Sequence, residues 1–168
     1  VRQADRGGRS VGGQDGEYEC VPGNERGVCR LVDVIEARRA TGALPDNAAA
    51  MKTIVTPGMA AEICERQGVH MDETFTGFKF MAEKLAEDKR DGSYNYILAY
   101  EESYGYMMGD YVRDKDAVTA SMLIAEMAAS YFKKGMTLAD ALDALYEKYG
   151  WFGELTLNLV MPGLDGLE

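Results

Sequence analysis

The segment Tyr100 to Asp116, reading YEESYGYMMGDYVRDKD, gathers paired carboxylates at Glu101 and Glu102, a hydroxyl at Ser103, glycines, and a mixed cluster from Arg113 to Asp116. Carboxylates accept hydrogen bonds from sugar hydroxyls, a serine both donates and accepts, and Arg113 and Lys115 offer cations to an anionic group such as phosphate. The aromatic and branched run Tyr94 to Tyr100 reads as a strand leading into Glu101, and Asp114 opens a long amphipathic run. The spacing therefore predicts a recognition loop between a strand and a helix, at the carboxyl end of the strand, where open α/β sheets bind ligands. The same residues also suit a solvated turn followed by a helix, because Asp114 and Asp116 favour a first helical turn.

The elements that must position this loop follow from periodicity and punctuation. Residues 1 to 23 are glycine-rich, and Asp15-Gly16 between Val11 and the alternating Tyr18 and Cys20 predicts a hairpin. Asn24 is a candidate N-cap for a helix carrying Val28, Leu31, Val32 and Ile35 on one face, with Gly42 just past its end. A short strand is expected over Ala48 to Val55. Thr56-Pro57 then suits an N-cap with proline at the first helical position, and Gly68 is the stop. A weaker strand, Val69 to Phe75, precedes a helix from Phe78 to Asp88, and Asp91-Gly92 turns the chain into the Tyr94 strand. The run Asp114 to Lys134 predicts a helix with Ala117, Ala120, Ser121, Ile124, Met127, Ala128 and Tyr131 as its apolar stripe. Thr137 with Asp140 resembles a capping box for a helix ending at Gly150, and Leu155 to Met161 alternates as a further strand broken by Pro162-Gly163. Strands alternating with helices imply an α/β domain with a largely parallel sheet.

Composition narrows the function. The chain has 168 residues, 46% of them hydrophobic, and a formal net charge of −10. Nucleic-acid binding through clustered lysine and arginine is disfavoured, so any phosphate site must be local. No apolar run approaches the roughly 20 residues that span a bilayer, and a cytoplasmic protein that does not engage a membrane is expected. Cys20, Cys29 and Cys64 form neither a CxxC pair nor a metal-like spacing with the sole histidine, and read as reduced packing residues.

The EESYG stretch followed by GDYVRDKDAV, with KTIVT and TFTGFKF before it, resembles the phosphohexomutases, in particular the bacterial phosphoglucomutases and phosphomannomutases. The likeness runs from Asp5-Arg6 through Gly23-Asn24-Glu25 to the closing MPGLDGLE. It implies an α/β; three-layer α/β/α sandwich with a mixed, largely parallel sheet, and a division into a remnant of a preceding domain (1–22), the sandwich (23–153) and the start of a fourth domain (154–168). It further implies a phosphosugar substrate, glucose or mannose phosphate, moved between its 1- and 6-phosphates through a phosphoserine and a bisphosphate, with the remaining domains of a parent enzyme as partners. Glu101 and Ser103 match the sugar-contacting positions, and Thr76, Gly77 and Lys79 match a loop that meets either end of the substrate. Lys115 matches the lysine facing the reacting end, and Arg113 accompanies it. Glu102 reads as a second orienting carboxylate or a structural ion-pair partner. A stand-alone, non-catalytic sugar-phosphate-binding or interaction domain is the competing reading.

Two family features are depleted. The metal loop would hold Mg2+ with three aspartates at alternate positions; here Val1 and Gln3 replace two, leaving Asp5, while Arg6 keeps the family's arginine as a catalytic candidate. No serine precedes a histidine, and Thr119-Ala120-Ser121, which imitates the start of a phosphoserine loop, falls inside a helix and reads as packing. His70, beside Val69 and Met71, reads as an edge or satisfied core residue rather than a base. Asp72-Glu73-Thr74-Phe75-Thr76 lacks the second aspartate of an aspartyl phosphotransferase motif. A hard cation needs more carboxylate oxygen than Asp5 supplies, so calorimetry should detect no magnesium binding at this loop. A micromolar dissociation constant abolished by Asp5→Asn would show that other ligands replace Val1 and Gln3.

Overall fold

The computed structural model describes residues 23–153 and the backbone of 9–10 and 18–19. The two short strands β1 (Arg9–Ser10) and β2 (Tyr18–Glu19) pair antiparallel, as the hairpin expectation requires, with Arg9 opposite Glu19. The expected strand at Leu155 to Met161 lies outside the described residues, as do Asp5, Arg6 and Cys20.

The main body runs α1 (Gly23–Ala40), β3 (Ala48–Thr53), α2 (Met59–Gln67), β4 (His70–Thr74), α3 (Phe78–Asp91), β5 (Asn95–Tyr100), β6 (Tyr106–Met107), α4 (Ala117–Lys133) and α5 (Leu138–Tyr149). The strand order is β4-β3-β5-β6, with the first three parallel and β6 antiparallel to β5. The chain steps outward from β3 to β4 through α2, then back past β3 to β5 through α3. Right-handed crossovers in opposite directions deposit their helices on opposite faces. The core accordingly divides in two. One cluster joins Ala48, Ala50, Leu98 and Tyr100 to α1, α2, α4 and α5, and the other joins Ala49, Met51, Tyr96 and Ala99 to Phe78, Met81 and Leu85 of α3. This is the three-layer α/β/α sandwich with a mixed sheet.

One irregularity matters for register. Ala49 pairs with Tyr96 but Ala50 pairs with Leu98, so β5 carries an extra residue at Ile97. Ile97 and Leu98 thus both face the first cluster, and the alternation is reset so that Ala99 and Tyr100 point to opposite faces.

Several boundaries differ from the sequence expectation, each for a local reason. β3 ends at Thr53, leaving Ile54 and Val55 exposed beyond the sheet. Asn24 lies inside α1 rather than capping it. Thr56 does not cap α2; its hydroxyl donates to the Thr53 carbonyl at 2.5 Å, and Gly58 precedes the helix without a side-chain cap. α4 begins at Ala117, with Asp116 rather than Asp114 as its cap, and Ala117 and Ser121 of the expected stripe are exposed while Ala120, Met127 and Tyr131 are buried. The Thr137–Asp140 capping box forms as expected, as does the left-handed stop at Gly68. Cys29 and Cys64 are buried free thiols, and burial pushes both up to about 12, which makes them packing residues. His70 sits on the edge strand β4, stacked on Tyr94 at 4.1 Å with its Nε2 3.2 Å from Asp72.

Close approach of α1 to β5 depends on a missing side chain. A Cβ at Gly27 would lie 2.3 Å from the Tyr100 ring, which is itself fully buried. Gly27→Ala is expected to lower the unfolding free energy by about 1 to 2 kcal/mol in a urea titration, because overpacking outweighs the alanine helix preference. A stabilised variant would mean that the two elements separate freely.

Candidate functional site

The site lies where the sheet's connections diverge. After β3 the chain leaves toward β4, and after β5 it leaves toward β6; ligands of open α/β sheets bind beyond the carboxyl ends of neighbouring strands whose connections diverge in this way. The expected direct passage from strand to helix is interrupted by β6. The loop is therefore a tight hairpin, closed by the Glu101 amide donating to the Gly105 carbonyl at 3.0 Å, followed by a second loop that ends when the Asp116 amide donates to the Tyr106 carbonyl at 2.8 Å. Tyr104 takes a φ of 65°, a left-handed conformation that costs a non-glycine residue roughly 1 to 2 kcal/mol. Its exposed ring lies 5.4 Å beneath the Arg26 guanidinium.

Three separate sequence segments converge on one ring, that of Phe78. The Glu101 side chain is 8% exposed, and its Oε1 lies 3.3 Å from Lys115 Nζ. That same ammonium lies 5.2 Å from the centre of the Phe78 ring, within cation–π range. Gly105 is wedged between them: a Cβ there would stand 2.4 Å from Glu101 Oε1 and 2.5 Å from Phe78 Cε2. Thus EESYG, RDKD and TFTGFKF contribute Glu101 and Gly105, Lys115, and Phe78 to one cluster.

The Glu101 side chain is buried. A buried carboxylate needs a paired cation, and Lys115 supplies it. Glu102 makes a structural tie, but to a hydroxyl rather than to the cation of an ion pair: its Oε2 accepts from the Thr53 hydroxyl at 2.8 Å, tying the hairpin to the end of β3. Lys52, buried beside Thr53, donates to the Thr56 carbonyl at 3.2 Å and pairs with Glu73 at 2.8 Å, holding the strand end in place. Neither Thr53 nor Gly105 stands out by type in the sequence; only their places in KTIVT and EESYG signal them.

The remaining candidates surround this cluster. Ser103 is exposed at the hairpin tip. Thr76 is exposed and Gly77 takes a φ of 111°, a backbone geometry that favours glycine, immediately before α3, whose first residues carry no side-chain cap. Lys79 lies 4.6 Å over the Phe80 ring. Arg113 is exposed and is not brought to Glu101. Among the described residues no group of three or more histidines, cysteines or carboxylates is arranged to hold a metal ion.

A family model for the phosphoglucomutase/phosphomannomutase α/β/α domain III matches residues 31–149. The chain belongs to this family. It is 30% identical over 125 residues to a phosphoglucomutase of Staphylococcus haemolyticus (strain JCSC1435), covering 74% of this chain and 22% of the relative. It is 34% identical over 116 residues to a phosphoglucomutase of Staphylococcus aureus (strain bovine RF122 / ET3-1), covering 69% of this chain and 21% of the relative. The open form of the Paramecium exocytosis-sensitive phosphoprotein pp63/parafusin, a phosphoglucomutase, shares the fold with a TM-score of 0.56 and 18% identity over 80% of this chain and 22% of that one. The chain therefore spans about a fifth of the length of the curated relatives it matches. No described helix is long and apolar enough to cross a membrane.

Asp116, next in sequence to Lys115, caps α4: it accepts from the amides of Val118 at 3.0 Å and Thr119 at 3.2 Å and from the Tyr111 hydroxyl at 2.7 Å. The Thr119 hydroxyl, then Tyr111 and the Thr119 amide, hold its carboxyl down at about 2 against an ordinary 3.8. A depressed folded value adds stability that is fully present above the ordinary value and is lost as pH falls through the folded one. Carboxyl-carbon NMR should place the Asp116 midpoint near 2, and Asp116→Asn should flatten the stability profile between about pH 4 and 2. A midpoint near 4 would show that the cap is not formed in solution.

Proposed function

We propose that this domain is the sugar-recognition domain of a phosphohexomutase that interconverts hexose 1-phosphate and hexose 6-phosphate. The observation that carries the reading is the convergence of the three family segments on the Glu101–Lys115 pair beyond the carboxyl ends of β3 and β5. One oxygen of Glu101 is engaged by Lys115. The carboxylate's remaining lone pairs accept from neighbouring sugar hydroxyls, and its charge strengthens those bonds. An ammonium has three donors, so Lys115, half of whose side chain is open to solvent, keeps donors for a phosphate or hydroxyl oxygen. Ser103 at the hairpin tip completes the hydroxyl contacts. Thr76, Gly77 and Lys79 meet the other end of the substrate, with backbone donors offered by the uncapped start of α3, and Arg113 adds a cation.

The phosphoryl chemistry belongs to other parts of such an enzyme. In this reading a phosphoserine supplied from outside these 168 residues donates its phosphoryl group to form a bisphosphate and then recovers the other phosphate after the sugar turns over. Residues 1–22 and 154–168 belong to the neighbouring domains, and Arg6 keeps a catalytic role in this reading. The donor set at the amino-terminal loop, Asp5 with Val1 and Gln3 in the alternate positions, does not fit a magnesium ion, and no step is routed through one. Transfer of this type depends on positioning and charge stabilisation, which is what the Glu101–Lys115 cluster contributes.

Two measurements test the reading. In a full-length enzyme carrying this domain, Glu101→Gln should cost more in kcat/KM than Glu102→Gln, because it removes a charge-assisted acceptor worth roughly 1.5 to 3 kcal/mol. A reversed order of severity would put the wrong carboxylate on the sugar. The 168-residue chain by itself should not interconvert glucose 1-phosphate and glucose 6-phosphate in a coupled assay with magnesium and a bisphosphate activator. It should still show millimolar glucose 1-phosphate binding at the amides of Glu101, Ser103 and Lys115. Turnover lost on Lys115→Ala would overturn the assignment of phosphoryl chemistry to other domains.

A further inference from the structure

α1 turns three residues toward the β5–β6 hairpin: Gly23, Gly27 and Arg30, spaced four and three apart and so on one helix face. The first two are seats. A Cβ at Gly23 would stand 2.5 Å from the Glu102 carbonyl, and one at Gly27 would stand 2.3 Å from the Tyr100 ring. The third is unusual. Arg30 is 1% exposed, yet none of its three guanidinium nitrogens makes a hydrogen bond. A buried cation in that condition is costly unless something else holds it. What faces it is the Tyr106 ring, whose centre lies 5.3 Å from Arg30 Cζ, together with Asp33 one turn along α1. Tyr106 in turn stacks on Tyr100 with centroids 6.3 Å apart, and its hydroxyl donates to the Gly23 carbonyl at 3.3 Å. Tyr100 and Tyr106 are the residues immediately flanking the Glu101–Gly105 turn.

We propose that Arg30 is a positioning residue: its guanidinium, laid on the Tyr106 face, fixes the short strand β6 on α1 and thereby sets where Glu101 and Ser103 are presented. β6 has two residues and, among the described residues, pairs on one side alone, so its ladder gives the hairpin little hold. An aliphatic residue of equal volume would fill the space without gripping the ring electrostatically. The functional consequence rests on the sugar-recognition reading of the hairpin; the mechanical one does not.

Amide hydrogen exchange on the whole chain separates the two. The probes are the Glu101 amide, bonded to the Gly105 carbonyl, and the Asp116 amide, bonded to the Tyr106 carbonyl, with Met51 and Leu98 in the β3–β5 pairing as controls. In Arg30→Met the two probe amides should exchange about tenfold faster while the controls hold, and Arg30→Lys should lie between. Tyr106→Leu should reproduce the effect, Tyr106→Phe should largely escape it, and the Arg30→Met, Tyr106→Leu double variant should add nothing to either single change. Unchanged probes, equal acceleration of all four amides, or an additive double variant would overturn the proposal. Should Arg30→Met fail to fold, the Tyr106 pair decides, and identical behaviour of Tyr106→Phe and Tyr106→Leu overturns it. Glucose 1-phosphate titration then addresses the site: shifts at Glu101 and Ser103 that weaken several-fold in Arg30→Met support the functional consequence. Absence of any shift in the unmodified chain would sink the sugar reading while leaving the exchange result to decide the role of Arg30.

Discussion

Glu101 carries its charge into a place that water scarcely reaches, and the neighbourhood is arranged around that fact. A carboxylate so buried needs a cationic partner. Lys115 meets it from the far side of a second loop, and the Phe78 ring lies against that ammonium. Gly105 has no side chain because any Cβ would displace the carboxylate or the ring. Once the pair is formed, the turn at Gly105, the path of residues 108–116, the start of α4 at Ala117 and the first residue of α3 are all constrained together. A carboxylate preset in this way loses little freedom on binding a ligand, which is the general advantage of a preorganised acceptor.

The sheet topology decides where this cluster stands. Reversing the direction of the crossover after β4 sends α3 to the face opposite α2, and that puts Phe78 on the side of the sheet that Met107 and Ala99 face. The extra residue at Ile97 matters for the same reason, since it determines that Tyr100 turns toward α1 and Ala99 toward α3. Glu101 thereby leaves the sheet between two walls. α1 and its glycines form one, and α3 forms the other. Thr53 and Glu102 join the ends of the two central strands.

At its carboxyl end, far from the Glu101–Lys115 pair, α3 is anchored on the same edge strand it departs from. The Tyr96 hydroxyl bridges the carboxylates of Asp72 on β4 and Asp88 on α3, and Lys84 pairs with Asp88 at 2.9 Å. A helix tied at its carboxyl end to the sheet presents its uncapped amino end, after Gly77, in a fixed position. Edge strand β4 carries His70, Asp72 and Glu73, charged or titratable groups that also discourage further pairing along that edge.

What the sequence determined by itself was mostly local. The alternation of strands and helices, the capping box of Thr137 with Asp140, the stop at Gly68, the turn at Asp91-Gly92 and the apolar faces of α1 and α3 follow from interactions within a few residues, and such patterns survive without the rest of the chain. Family resemblance then singled out EESYG, RDKD and TFTGFKF. Tertiary structure alone decided the rest. Pairing of β6 with β5 depends on a ladder only two residues long, which has no period to detect. The Thr53–Glu102 bond joins residues 49 apart and the Lys115–Glu101 bond joins residues 14 apart, so no spacing announces them. Residue type suggested Glu101 as an acceptor for sugar hydroxyls and a helix opening at Asp114. Burial between α3 and a glycine turn made the first a paired internal charge, and the hydrogen bond from the Asp116 amide to Tyr106 moved the second. Local sequence selects conformations, whereas the assignment of a charge to water or to a partner depends on what the folded chain brings against it.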